Sequence, residues 1–231
     1  MKKLLLILLC LPLLFSCGGG KKSKEYRISS VTIEPNILTV FKEDEIVTNE
    51  HLTYLKFDMS LINGVVYKVN LTNDTLIETY YTDGERYRVK TYFEGTKQLH
   101  FDTYMKNNML EGKYKMYYKN GQLAVSATFI IPNLPFAKKE SVLHNDYREW
   151  YENGNEKTIT NWVYGKLDGQ FIEFYKNGQI AEIGMFINDK LDGVYQIFYK
   201  NGELKKKTGF KEGKEVYSHC WDEKGNEFEC K

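Results

Sequence analysis

Apolar and polar positions alternate with a period of two through much of the chain, and the alternation is interrupted at regular intervals by Asn-Gly and Asp-Gly pairs. In GQFIEFYKNGQI (169–180) and GVYQIFYKNGEL (193–204) the rings fall at Phe171, Phe174 and Tyr175, and again at Tyr195, Phe198 and Tyr199. A period of two is that of a strand whose side chains point alternately to either face. Asn-Gly and Asp-Gly tolerate positive φ and fold the chain back on itself. Each KNG therefore predicts one hairpin turn, and NDKLDG or YGKLDG predicts the next, with strands of about seven to nine residues between them.

The frame repeats. GKYKMYYKNGQL (112–123), NDYREWYENGNE (145–156) and GKEVYSHCWDEKGNE (213–227) align with the two segments above, and their turn glycines are Gly121, Gly154, Gly178, Gly202 and Gly225. The spacings are 33, 24, 24 and 23 residues, and the 33 contains an insertion around IPNLPFAKKESVLH. Upstream, Gly95 is expected to take the same role, and Thr72-Asn73-Asp74 is expected to form one more turn. Six or seven units are thus predicted over residues 60–231. Sorting by period places Tyr114, Tyr147, Phe171, Tyr195 and Tyr217 in one column and Tyr118, Tyr151, Tyr175, Tyr199 and Trp221 in a second on the same face. The second column is the candidate surface, for packing or for interaction. Tyr117, Trp150, Phe174 and Phe198 point the other way. One hairpin is marginal in water, whereas stacked hairpins cover one another's rings. The expected fold is all-β, an elongated antiparallel meander of hairpin repeats, with residues 28–59 supplying strands or a cap.

Composition adds two points. Aromatic content of 15%, with 18 Tyr and only 4 Pro, favours strands over helices. A formal charge of +1 leaves no basic footprint for nucleic acid.

Units of 23–24 residues with G-x-[FY]-x-x-[FY]-Y-x-N-G-x-[LI] and K-L-D-G resemble MORN-repeat variants, in particular the bacterial YwqK-like antitoxin-type family. LTYLKFDMSLINGVVYKV (52–69) is similar to the region that commonly opens such arrays. The resemblance covers about 50–231 and is strongest at 165–213. It implies a single-layer or gently coiled antiparallel sheet and little about activity, since a fold does not fix a function.

The amino terminus, MKKLLLILLCLPLLFSCGGG, has two lysines, an apolar run from Leu4 to Phe15, then Ser16 and Cys17. Leu14-Phe15-Ser16-Cys17 resembles the lipobox of bacterial lipoproteins, which implies cleavage after residue 16 and acylation of Cys17. Twelve apolar residues are short for a membrane span, whereas two or three acyl chains on one cysteine anchor firmly. Residues 17–27 read as a basic tether. Gly18 in place of an aspartate points to the outer membrane of the envelope, with the side left open. With Cys10 gone in the leader and Cys17 taken by the lipid, Cys220 and Cys230 are the remaining cysteines. An exported protein meets oxidising conditions. A disulfide between the two depends on register, because a one-residue slip would put the thiols on opposite faces.

Catalytic signals are absent from the sequence. The four histidines are scattered, no GxSxG or phosphate-cradling glycine motif occurs, and NDKLDG carries Lys190 where a calcium loop needs an oxygen ligand. Glu149 and Glu173 share a column, which would couple their protonation, but other units place inert residues there. No enzyme, cofactor or metal is expected. The reading is a lipid-anchored, non-enzymatic envelope protein whose repeat sheet is a platform for a protein partner. The alternatives are an antitoxin or immunity lipoprotein that sequesters a toxin, and a glycan or cell-wall binder.

Overall fold

The computed structural model describes residues 39–49, 52–69, 75–133 and 139–230. Cys17 and the leader, the tether, and the Thr72-Asn73-Asp74 turn lie outside the described residues. The amino-terminal part comprises β1 (Thr39–Lys42), a short 3-10 turn at Glu43–Glu45, β2 (Ile46–Asn49), β3 (Leu52–Leu55) and β4 (Gly64–Val69). A long run of hairpins follows: β5 (Thr75–Thr82), β6 (Glu85–Tyr92), β7 (Leu99–Lys106), β8 (Met109–Tyr117), β9 (Leu123–Ile130), β10 (Val142–Leu143) and β11 (Asn145–Trp150). The run continues with β12 (Glu156–Val163), β13 (Lys166–Phe174), β14 (Ile180–Ile187), β15 (Lys190–Leu191), β16 (Gly193–Phe198), β17 (Leu204–Lys211), β18 (Lys214–Trp221) and β19 (Glu227–Phe228).

From β4 onward each strand pairs antiparallel with the next, except that β10 and β11 both pair with β9, and β15 and β16 both pair with β14. The all-β expectation holds, with one departure: β1 lies parallel to β4 (Thr39↔Gly64 to Lys42↔Tyr67), so the sheet is mixed. Parallel pairing is available here because β2 and β3 intervene before the chain returns as β4.

The motif residues are those that join one unit to the next. Tyr118, Tyr151, Tyr175 and Tyr199 donate their hydroxyls to the main-chain carbonyls of Trp150, Phe174, Phe198 and Trp221 in the following unit, at 2.9, 2.8, 2.7 and 2.8 Å. Two residues along, Asn120, Asn153, Asn177 and Asn201 donate Nδ2 to the carbonyls of Glu152, Lys176, Lys200 and Glu223. Their Oδ1 atoms accept the main-chain N–H two residues on, as in an Asx turn. Along the other edge, L-D-G does the same: Asp168 and Asp192 accept the N–H groups of Asn188 and Glu212 in the next turn. Those turns hold two successive residues at positive φ, as at Asn188 and Asp189, which is the twist a two-residue hairpin needs.

Packing within the layer alternates large against small. On one face Tyr114 pairs with Ala127, Phe171 with Thr160 and Gly184, and Tyr195 with Thr208. Ala127, Thr160 and Thr208 are buried beneath these rings. A Cβ on Gly184 would lie 2.6 Å from the Tyr195 ring, so the close approach requires glycine. A bulge recurs in the strand that leaves each KNG-type turn, where Ala124, Lys157, Ala181 and Lys205 are unpaired, and it increases the local twist. The most deeply buried side chains are Ile62, Val65, Thr53 and Thr208. The first three lie where the β2–β3 hairpin meets the repeats, and the main chain of Thr53 bonds Gly84 and Ile62 there.

Two positional expectations are corrected. In the last unit Asp222, not Trp221, occupies the place of Tyr118, Tyr151, Tyr175 and Tyr199, since Asp222 and Gly225 make the turn bonds those tyrosines make with their glycines. The final spacing is 23 rather than 24, and a one-residue slip reverses both faces. Thr208 therefore pairs with Ser218, not Tyr217. Tyr217, His219 and Trp221 stand on the opposite face, and Cys220 takes the place held elsewhere by Met116, Glu149, Glu173 and Ile197. Upstream, the turn is one residue longer: Thr96, not Gly95, bonds back to Phe93, and its hydroxyl does the work of the asparagine.

If the tyrosine hydroxyls hold unit to unit, Tyr175→Phe lowers stability by about 1 kcal/mol in urea unfolding. Gly178→Ala, at φ +89°, costs about 1–2 kcal/mol through the left-handed backbone alone. An unchanged urea midpoint for Tyr175→Phe would show that the ladder contributes nothing.

Candidate functional site

The tyrosine column is saturated. Each of its four hydroxyls is committed to the neighbouring unit, so these residues are structural connectors first. Asp222, which stands where the fifth tyrosine would be, turns inward: its carboxylate accepts from the main chain of Lys224 and from both the main chain and side chain of Asn226. Those bonds, the Asn226 side chain foremost, hold its carboxyl below the usual range. With Asp222 the ladder has no hydroxyl to pass onward, and β19 follows.

Cys220 and Cys230 are joined by a disulfide. Cys220 faces Phe228 in register, and Cys230 lies two residues beyond it, hence on the same side of the strand pair. The bond closes the last strand pair.

The ring face carries an acidic row, Glu149, Glu173 and Glu182, in which Glu173 and Glu182 are direct cross-strand partners. Burial would raise the Glu149 carboxyl, but the Lys157 ammonium at 2.8 Å and the Tyr147 hydroxyl outweigh it and hold the group low. Tyr195 donates to Glu182. Burial, then the charge of Glu182, pushes Glu173 up, with Lys157 offsetting part of this. The row lacks a third group arranged for chemistry, and no cluster of His, Cys, Asp and Glu among the described residues has the geometry to hold a metal.

The opposite face divides in character along the sheet. In the early units it is charged and paired: Arg88 forks onto Asp102 with bonds of 2.7 and 2.6 Å between the rings of Tyr80 and Tyr104. Lys90 bridges Glu78 and the Tyr80 hydroxyl. Burial and the hydrogen bond to Glu78 push that hydroxyl far above its usual range. In the late units the same face is apolar and open. Met185 in β14, Val194 in β16 and Tyr217 in β18 fall in one row, with exposures of 50%, 45% and 42%. The register runs Gln170↔Met185, then Val194↔Gly209↔Tyr217. Ile172 and Ile183 pair in the adjacent row, which continues through Gln196, Lys207 and His219. Sequence reasoning missed both features.

A layer of hairpins pinned edge to edge by Y-x-N-G and L-D-G defines a β-hairpin repeat protein. The repeat has a known counterpart: residues 110–130, 167–188 and 191–212 match the family model of the MORN repeat variant. Residues 145–163 lie outside the matched segments, yet Tyr151 and Asn153 make the same bonds as their counterparts. No curated protein matches the chain.

Glu173→Gln is expected to stabilise the fold at pH 7. Its carboxyl is raised in the native state, so the ionised form opposes folding at neutral pH, and this penalty disappears as pH falls and the group takes up its proton. The gain is about 0.3–0.5 kcal/mol, limited by solvent screening. Glu149→Gln moves the other way, because a lowered carboxyl contributes stability above its unfolded value and loses it in acid. Thermal melts of both variants between pH 4 and 8 check the pair of signs, and equal shifts in the same direction would contradict the assignment.

Proposed function

We propose that this chain is a non-catalytic binding module, tethered to a bacterial envelope membrane through acylated Cys17, whose late repeats hold a protein partner on the face opposite the ring column. The observation that carries the reading is the row Met185, Val194 and Tyr217: three apolar side chains, each more than two-fifths exposed, with Tyr217 across Gly209 from Val194. An exposed apolar row on a sheet favours association, and a preorganised strand surface loses little entropy when it binds. Lys207 flanks the row and His219 beside it is held by Glu227 at 2.7 Å, so Lys207 is the flanking charge that suits a partner with an apolar patch and an acidic group at its rim. Recurring residues are spent on joining units, which leaves partner choice to the positions that differ between units. The immunity reading is the case in which this partner is a toxin. The glycan alternative rests on the tyrosine column, whose hydroxyls are committed to neighbouring units.

A photoreactive phenylalanine derivative in place of Tyr217, irradiated in intact cells, is expected to give one discrete protein adduct. Met185→Glu with Val194→Glu is expected to reduce that adduct at least tenfold while the melting curve stays two-state. Adducts of unchanged pattern and yield in the double variant would overturn the proposed surface. In the same cells Cys17→Ala is expected to move the protein from the membrane to the soluble fraction, and retention in the membrane would overturn the anchor.

A further inference from the structure

Where the β2–β3 hairpin meets the first repeat hairpins there is a cavity of about 160 Å³, lined by Thr48, Thr53, Tyr81, Arg86 and Asn108. At roughly 30 Å³ per water, that is room for a few waters or one small organic acid. Among the described residues Arg86 is the single charged residue of the lining. Its Nη2 donates to Asn108 Oδ1 at 2.9 Å, while its Nε–H is buried and has no acceptor. None of the ion pairs among the described residues involves Arg86. The hydroxyls of Thr48 and Thr53 bond each other at 3.1 Å, and since one hydroxyl serves as donor, the other keeps its proton free for a third group. The floor is fixed, because Thr53 is buried and its main chain is bonded to Gly84 and Ile62.

A buried guanidinium N–H without an acceptor is costly, and a cavity whose described lining has one cation, a spare hydroxyl proton and no carboxylate is complementary to an anion. We propose that this cavity is a binding site for a single carboxylate. The carboxylate is received by the Nε–H of Arg86 and by the second N–H of Nη2, whose other N–H goes to Asn108, with the free threonine hydroxyl as a third donor. One cation matches one negative charge, whereas a phosphate dianion would leave a charge uncompensated. Two sources share this chemistry: a free short-chain acid, or the terminal carboxylate of a peptide. The site draws on residues 48–108 and is independent of the apolar row in the late repeats.

The test uses the full-length lipidated protein in detergent, labelled with ¹⁵N-arginine, and titrated at constant ionic strength with acetate, inorganic phosphate, a tetrapeptide acid and the same peptide as its amide. Acetate or the peptide acid is expected to shift the Arg86 Nε signal saturably and to raise the melting temperature. Arg86→Gln is expected to abolish the melting shift. Arg86→Lys, which keeps the charge and loses the fork, and Thr48→Val, a change at an exposed position, are each expected to weaken binding at least tenfold. Tighter binding of the peptide acid than of acetate, with no binding of the amide, identifies a peptide terminus. Equal binding of acetate and the peptide acid identifies a free acid. The proposal is overturned if neither carboxylate gives a saturable response, if phosphate binds as tightly as acetate, or if the response survives in both Arg86→Gln and Thr48→Val.

Discussion

The structure depends on one interaction repeated four times: a tyrosine hydroxyl donated to the main chain of the next unit. Among the described residues the hairpins have no second layer against which to hide their rings, and few side chains are fully buried. Cohesion must therefore come from the strand ladder and from bonds that fix each unit to its successor. The Tyr ladder and the Asn ladder do this at one edge, and the Asp-to-turn bonds at Asp168 and Asp192 do it at the other. Each such bond replaces water at an edge with a fixed partner, with a net gain near 1 kcal/mol per bond. Repeated unit by unit, such increments are how repeat proteins accumulate stability.

This explains which parts of the fold were legible in the sequence. Motif residues that bond between units must recur at the repeat spacing, so Y-x-N-G and L-D-G announce the hairpins, the turns and the approximate register. The errors arose where the spacing changes by one. Tyr217 and Trp221 look like column residues because rings recur near the expected interval, yet the 23-residue unit moves both to the other face and sets Ser218 and Asp222 in their places. Gly95 misled for the opposite reason, since its turn is one residue longer and a threonine hydroxyl replaces the asparagine amide. The Arg88–Asp102 fork and the Arg86 cavity were not legible, because each is assembled across strands by register and neither has a local signature.

The ends of the array are treated differently from its middle. At the amino-terminal end the β2–β3 hairpin buries Thr53 and Ile62 against the first repeat, and β1 pairs parallel with β4. These contacts protect the first hairpin from standing alone. At the carboxyl-terminal end the ladder stops when tyrosine gives way to Asp222, which satisfies its own turn. The disulfide then secures a strand, β19, that pairs with β18 at only two positions. A covalent bond substitutes there for the ladder that neighbouring units would have supplied.

Surface chemistry follows from the same division of labour. Positions that recur are occupied in building the layer and cannot vary without loosening it; positions between them are free to differ. On the face opposite the rings, the row that carries Glu78, Lys90 and Asp102 in the early units carries Ile159, Ile172 and Ile183 in the later ones. The charges in the early units are matched against one another and shielded by tyrosine rings, so little net attraction is left for a partner. In the late units the match is confined to the margin, where His219 meets Glu227, and the row of Met185, Val194 and Tyr217 carries no charge. Their apolar row loses less on leaving water than any other part of that face, and it sits where the strands are held from both edges. The proposed binding at the late repeats therefore requires no rearrangement of the layer, only a partner whose apolar patch fits the spacing of the strands.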